Sequence, residues 1–91
     1  MTTDTTPADG AVERAVLALH SAIRRRGVAA MDGDQAGEVR AIHNARMYVV
    51  RFDGTDWLMP IPGTDRHTVI AHGGEEGFLA RWLANELLGL R

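Results

Sequence analysis

The chain predicts an α+β domain, a two-layer sandwich. In it a meandering antiparallel sheet of four or five strands is covered on one face by an N-terminal and a C-terminal helix. Three observations carry this. The apolar runs Met47–Phe52 and Trp57–Ile61 flank Asp53-Gly54, a hairpin signature because a tight turn needs φ > 0 and glycine supplies it without steric cost. Apolar residues recur at helical spacing near both ends of the chain. Between them, short segments alternate or run apolar and are separated by Gly, Asp, Asn and Pro.

The elements follow in order. Residues 1–6 are small and polar and are expected to form a disordered tail, with residues 7–91 as a single domain. Thr6-Pro7-Ala8-Asp9 resembles a helix start, with Thr6 as N-cap and Pro7 at the first helical position. Gly10 weakens that turn, which shifts the firm helix toward Ala11. Val12, Ala15, Val16, Leu19, Ala22 and Ile23 then make one stripe. Arg24-Arg25-Arg26 followed by Gly27 suits a helix end, where cations offset the dipole and glycine takes the left-handed position. Val28–Met31 predicts a short strand, Asp32–Gly37 a loop, and Glu38–His43 a strand. Asn44-Ala45 predicts a tight turn into the strand Arg46–Phe52. The return strand is predicted over Trp57–Ile61, with Pro60 marking an edge or an end because proline cannot donate to the ladder. His67–Ala71 predicts the last strand. Glu75 and Glu76 suit the first turn of a final helix whose apolar face is Phe78, Leu79, Trp82, Leu83, Leu87 and Leu90, with Gly89 as its stop.

Strand parity sorts the side chains. Tyr48, Val50, Phe52, Trp57, Met59 and Ile61 share a face in either a two- or a four-residue loop, and that face is expected to meet the helices. A two-residue loop would set Val50 opposite Trp57. With Asn44-Ala45 as a two-residue turn, Val39 and Ala41 join them. The predicted core is thus Val12, Val16, Leu19, Ile23, Tyr48, Val50, Phe52, Trp57, Met59, Phe78, Trp82 and Leu83. The opposite face would carry Ile42, Met47, Val49 and Leu58 beside a row of Glu38, Arg51 and Asp56. That face is more apolar than a plain solvent face, and these seven residues are the candidate partner-binding surface.

Composition narrows the function classes. At 91 residues and 45% hydrophobic, the chain supports one core with little surplus, a size at which self-association often adds stability. The net charge of −2 argues against a general nucleic-acid binder. All 10 basic residues are arginine, which reads as coding bias of a GC-rich genome. Cysteine is absent, which removes disulfides, thiolate nucleophiles and Cys-ligated metals. The start has no basic, apolar leader pattern and no run is long enough to span a bilayer, so a cytoplasmic protein without membrane contact is expected.

No motif supplies chemistry. His20, His43, His67 and His72 lack a metal-binding spacing. Asp32-Gly33-Asp34 would place Ala36 and His43 where a calcium loop needs oxygen ligands. His72-Gly73-Gly74 would need a nucleophile on a strained turn, yet the single serine, Ser21, lies inside the first helix. Trp57 and Trp82 fall on core faces. The order helix, strands, helix resembles double-stranded RNA-binding domains in element order alone. Their last helix starts with basic residues, whereas this one starts Gly74-Glu75-Glu76-Gly77, which would repel phosphates.

The expected function is a non-catalytic protein-interaction module, homodimeric or bound to another protein, with no cofactor and no metal. The first alternative is a small ligand binder or enzyme with a pocket between sheet and helices using Tyr48, Arg51 or the histidines. The second is a nucleic-acid or phosphate binder using Arg24, Arg25 and Arg26.

Overall fold

A computed structural model describes residues 7–89. The N-cap expected at Thr6, the tail before it and the apolar contact expected of Leu90 lie outside the described residues. Helix α1 spans Pro7–Arg24, followed by strands β1 (Ala29–Asp32), β2 (Glu38–His43), β3 (Arg46–Phe52), β4 (Asp56–Pro60) and β5 (His67–His72), and then helix α2 (Glu76–Leu88). The strands form a five-stranded antiparallel meander in the order β1-β2-β3-β4-β5. The two helices pack together and against one face of it.

Helix α1 begins at Pro7 rather than near Ala11, so Gly10 is carried within it. It ends as its sequence predicts. Gly27 takes φ 83°, its N–H bonds to the Arg24 carbonyl, and the Val28 N–H reaches back to the Ile23 carbonyl. This is a glycine-terminated helix end in which the following apolar residue, Val28, is buried against the core.

The β2–β3 turn fixes the register of the sheet. Asn44 and Ala45 both have positive φ, 49° and 67°, as the two-residue turn matched to strand twist requires. His43 then pairs with Arg46, Ala41 with Tyr48 and Val39 with Val50. Val39, Ala41 and Val50 are all buried, so the predicted core face of β2 and β3 is the observed one. The Asp53-Gly54 loop is the four-residue form. The Asp53 N–H bonds to the Asp56 carbonyl, and Phe52, not Val50, lies opposite Trp57. The Asp53 carboxylate accepts the N–H groups of Asp56 and Thr55, and these bonds hold it below the usual carboxylate range.

The core joins Leu19 and Ile23 of α1 to Val39, Val50, Phe52 and Trp57 of the sheet and to Leu79, Leu83 and Leu87 of α2. Val12, Val16, Tyr48 and Met59 pack around it partly buried. Two predicted core residues are corrected. Phe78 is 61% exposed and Trp82 is 36% exposed. Helix α2 touches both α1 and the sheet, and it buries Ala80 and Ala84 along with its leucines. Small side chains let two helices approach closely, so the buried arc is centred on Leu79-Ala80 and Leu83-Ala84. Phe78 and Trp82 are left on its flank. Ile61, expected on the core face, lies beyond the end of β4 and is exposed.

Candidate functional site

The sheet face turned away from the helices is the candidate site. Its residues arrive there by alternation along each strand. The register sets Met31 beside Arg40, Arg40 beside Val49, Ile42 beside Met47, and Glu38 beside Arg51. Arg51 in turn sits beside Leu58, and Leu58 beside Val69. Of the seven residues named from the sequence, Ile42, Val49, Leu58, Glu38, Arg51 and Asp56 are half-buried and Met47 is 51% exposed.

The charged row is not the one expected. A four-residue loop shifts β4 along β3, so Arg51 meets Leu58 and Asp56 sits beyond the end of the row. Asp56 pairs instead with His72 across β4 and β5, His72 Nδ1 to Asp56 Oδ1 at 2.7 Å. Glu38 also turns away from Arg51. Its carboxylate accepts the N–H groups of Asp34 and Gln35 at 2.6 and 3.2 Å and so closes the β1–β2 loop. Arg51 forms no ion pair among the described residues.

Sequence reading missed three residues of this face. Met31 is 49% exposed, and its place follows from the short β1 alternation. Arg40 stands in the middle of the face, bonded to Asp34 Oδ2 at 3.1 Å, with its Nε shielded and without a hydrogen-bond partner. Val69 is 49% exposed, although Val69 and buried Ala71 have the same parity in the sequence. A β-bulge between the pairs Trp57↔Ala71 and Leu58↔Val69 inserts Ile70 and inverts the faces. No local signal announces that bulge.

The remaining motifs have structural positions. Among the described residues no three His, Asp or Glu side chains are grouped to hold a metal. His20 is buried in α1 with Nε2 3.1 Å from Asp32 Oδ1, though misaligned for a hydrogen bond. His43 contacts Asn44, and His67 starts β5. Arg24, Arg25 and Arg26 are exposed, and Arg24 Nη2 donates to the Ala30 carbonyl at 2.9 Å. Trp57 is fully buried, and its Nε1 donates to the buried Glu76 carboxylate at 2.9 Å. A cavity of about 710 Å³ is an open groove between α1 and the β1–β2 loop. Arg51 borders it, but Tyr48 and the histidines do not. Tyr48 instead stacks on Trp82 at 5.7 Å between ring centroids. No described helix is long and apolar enough to cross a membrane.

The His72–Asp56 pair gives a pH dependence. The hydrogen bond that His72 donates to Asp56, the charge of Asp56 and that of Glu75 raise the His72 pKa above its ordinary value. A raised folded-state pKa stabilises the fold below the unfolded value of about 6.5, and the contribution is lost as pH rises through the folded value. The thermal midpoint of wild type is therefore expected to fall across the range just above that pH. A His72→Gln variant should show no such step, and an identical step in the variant would assign it to another group.

Comparison with protein families, curated proteins and solved structures finds no match.

Proposed function

We propose that this chain is a non-catalytic interaction module that self-associates through the outer sheet face. The observation carrying this reading is the composition of that face. Met31, Ile42, Met47, Val49, Leu58 and Val69 contribute apolar surface from all five strands, and both helices lie on the other side. Pairing two such faces removes apolar area from water at roughly 25 cal/mol per Å². The guanidinium of Arg51, in no ion pair among the described residues, lies at one end of that face. Such a charge sets orientation more than affinity. The alternative of a phosphate site at Arg24–Arg26 is disfavoured by the engagement of Arg24 with Ala30.

Val49→Arg tests the reading. Val49 lies outside the core cluster, so the variant should keep the circular dichroism and melting behaviour of a folded domain. Sedimentation should show a concentration-dependent dimer for wild type and a monomer for the variant. A wild type that stays monomeric at high concentration and binds nothing through this face would sink the proposal.

A further inference from the structure

The sheet is split along β3. Strand β3 pairs with β2 from Arg46 to Arg51. With β4 it pairs only at Arg51↔Leu58 and Phe52↔Trp57. Extending that register would set Val49 opposite Pro60, which has no N–H to give. The bulge at Ile70 adds local twist to the β4–β5 hairpin next to the same point. Ladder pairing therefore stops where the two strands would otherwise continue side by side.

The phase of the hydrogen bonds shows which groups this leaves. The Phe52 N–H bonds to the Gly37 carbonyl on the β2 side. Main-chain groups alternate in direction along a strand, so those of Tyr48 and Val50 also serve β2, while those of Met47 and Val49 point toward the absent partner. The first edge of the sheet differs, because there Arg24 occupies the Ala30 carbonyl. Among the described residues the open stretch of β3 has no such cover. It has apolar side chains on the outer side, Met47 and Val49, and the Tyr48–Trp82 stack on the helix side. Arg46 and Arg51 stand at its two ends, and neither forms an ion pair among the described residues.

We propose that this open edge of β3 takes up an extended peptide, added as a strand, with apolar side chains in alternation and carboxylates toward both ends. Backbone bonds to Met47 and Val49 would hold it, and Arg46 and Arg51 would select its charge. The charge complementarity favours an acidic peptide over a second copy of this chain, whose β3 would bring the same two arginines to the slot. The site adjoins the self-association face proposed above and shares Met47, Val49 and Arg51 with it, but main-chain groups rather than outer-face side chains would hold its ligand.

The test uses a fluorescent peptide, Glu-Val-Thr-Val-Thr-Val-Glu, and the intact protein in an anisotropy titration. Two control peptides accompany it, one N-methylated at alternate residues and one with lysine at both ends. N-methylation on the pairing side is expected to weaken binding about tenfold or more, and the lysine peptide should also bind more weakly. The amides of Met47 and Val49 should gain hydrogen-exchange protection on peptide addition. Val49→Pro removes the Val49 N–H without touching the bonds to β2 and should lose binding, whereas Val49→Ala should keep it. Should Val49→Pro unfold, the peptide series on wild type decides alone. Equal binding of the N-methylated peptide, or none up to about 1 mM, overturns the proposal. A dimer dissolved by Val49→Pro, with no peptide binding, would assign the edge to a second copy and overturn it too. Val49→Arg dissociating a dimer while peptide binding persists would separate the two sites.

Discussion

Replacing Trp57 with alanine is expected to destabilise the fold by about 3–5 kcal/mol. The ring is fully buried and packs against Phe52 at 5.1 Å between centroids. Its Nε1 is also a donor to Glu76, a buried carboxylate at the start of α2 that otherwise receives the Gly74 N–H at 3.2 Å. Alanine would open a cavity and remove one of the two donors to that buried carboxylate at once, and losing a partner from a buried acceptor adds to the packing loss. A domain of this length has a total stability on the order of 5–13 kcal/mol, so the variant should be close to unfolding at ambient temperature. Trp57→Phe separates the two effects, because it keeps most of the packing and loses the donor, with an expected cost of about 1–3 kcal/mol. Urea denaturation measures both through the shift in midpoint at unchanged slope. A Trp57→Ala protein within 1 kcal/mol of wild type would show that the indole is not packed as described.

Leu19→Ala should cost about 2–4 kcal/mol. Leu19 is fully buried on the α1 stripe and belongs to the core cluster with the sheet residues and the α2 leucines. Close-packed surroundings collapse only partly around a deletion, which adds a cavity term to the lost transfer energy. Phe78→Ala gives the contrast. Phe78 is the larger side chain, yet it stands on the flank of α2, and its truncation should change stability by no more than about 0.5 kcal/mol. Denaturant midpoints of the two variants compare them directly. A larger loss for Phe78 than for Leu19 would mean that α2 is rotated about its axis relative to the structure.

That contrast marks where sequence reading stops. A helical stripe fixes which residues are apolar, but eight of the thirteen positions of α2 are apolar enough to compete for burial. Only the presence of α1 and the sheet on two sides selects the arc that includes Ala80 and Ala84. Alanine gives no sequence signal of its own, since its role is to permit close approach. The β4–β5 segment has the same limit. Parity is legible wherever a strand is regular, and it correctly put Val39, Ala41, Val50 and Trp57 inward. It does not carry through β5, where the single inserted residue Ile70 puts Val69 and Ala71 on opposite faces.

What the sequence by itself determined is the element order, the two-residue Asn44-Ala45 turn, the Gly27 helix end and the inward face of β2 and β3. Each is encoded locally, by spacing or by a turn residue with a restricted φ. The apolar character of Ile42, Met47, Val49 and Leu58 on the outer face was legible for the same reason. Only the tertiary structure decided the length of the Asp53–Asp56 loop, hence the partner of Arg51, and the union of Trp57 with Glu76. It alone also decided the point at which β4 leaves β3. These depend on which residues meet across long sequence separations. Such meetings are set by the packing of whole elements rather than by any residue's neighbours along the chain.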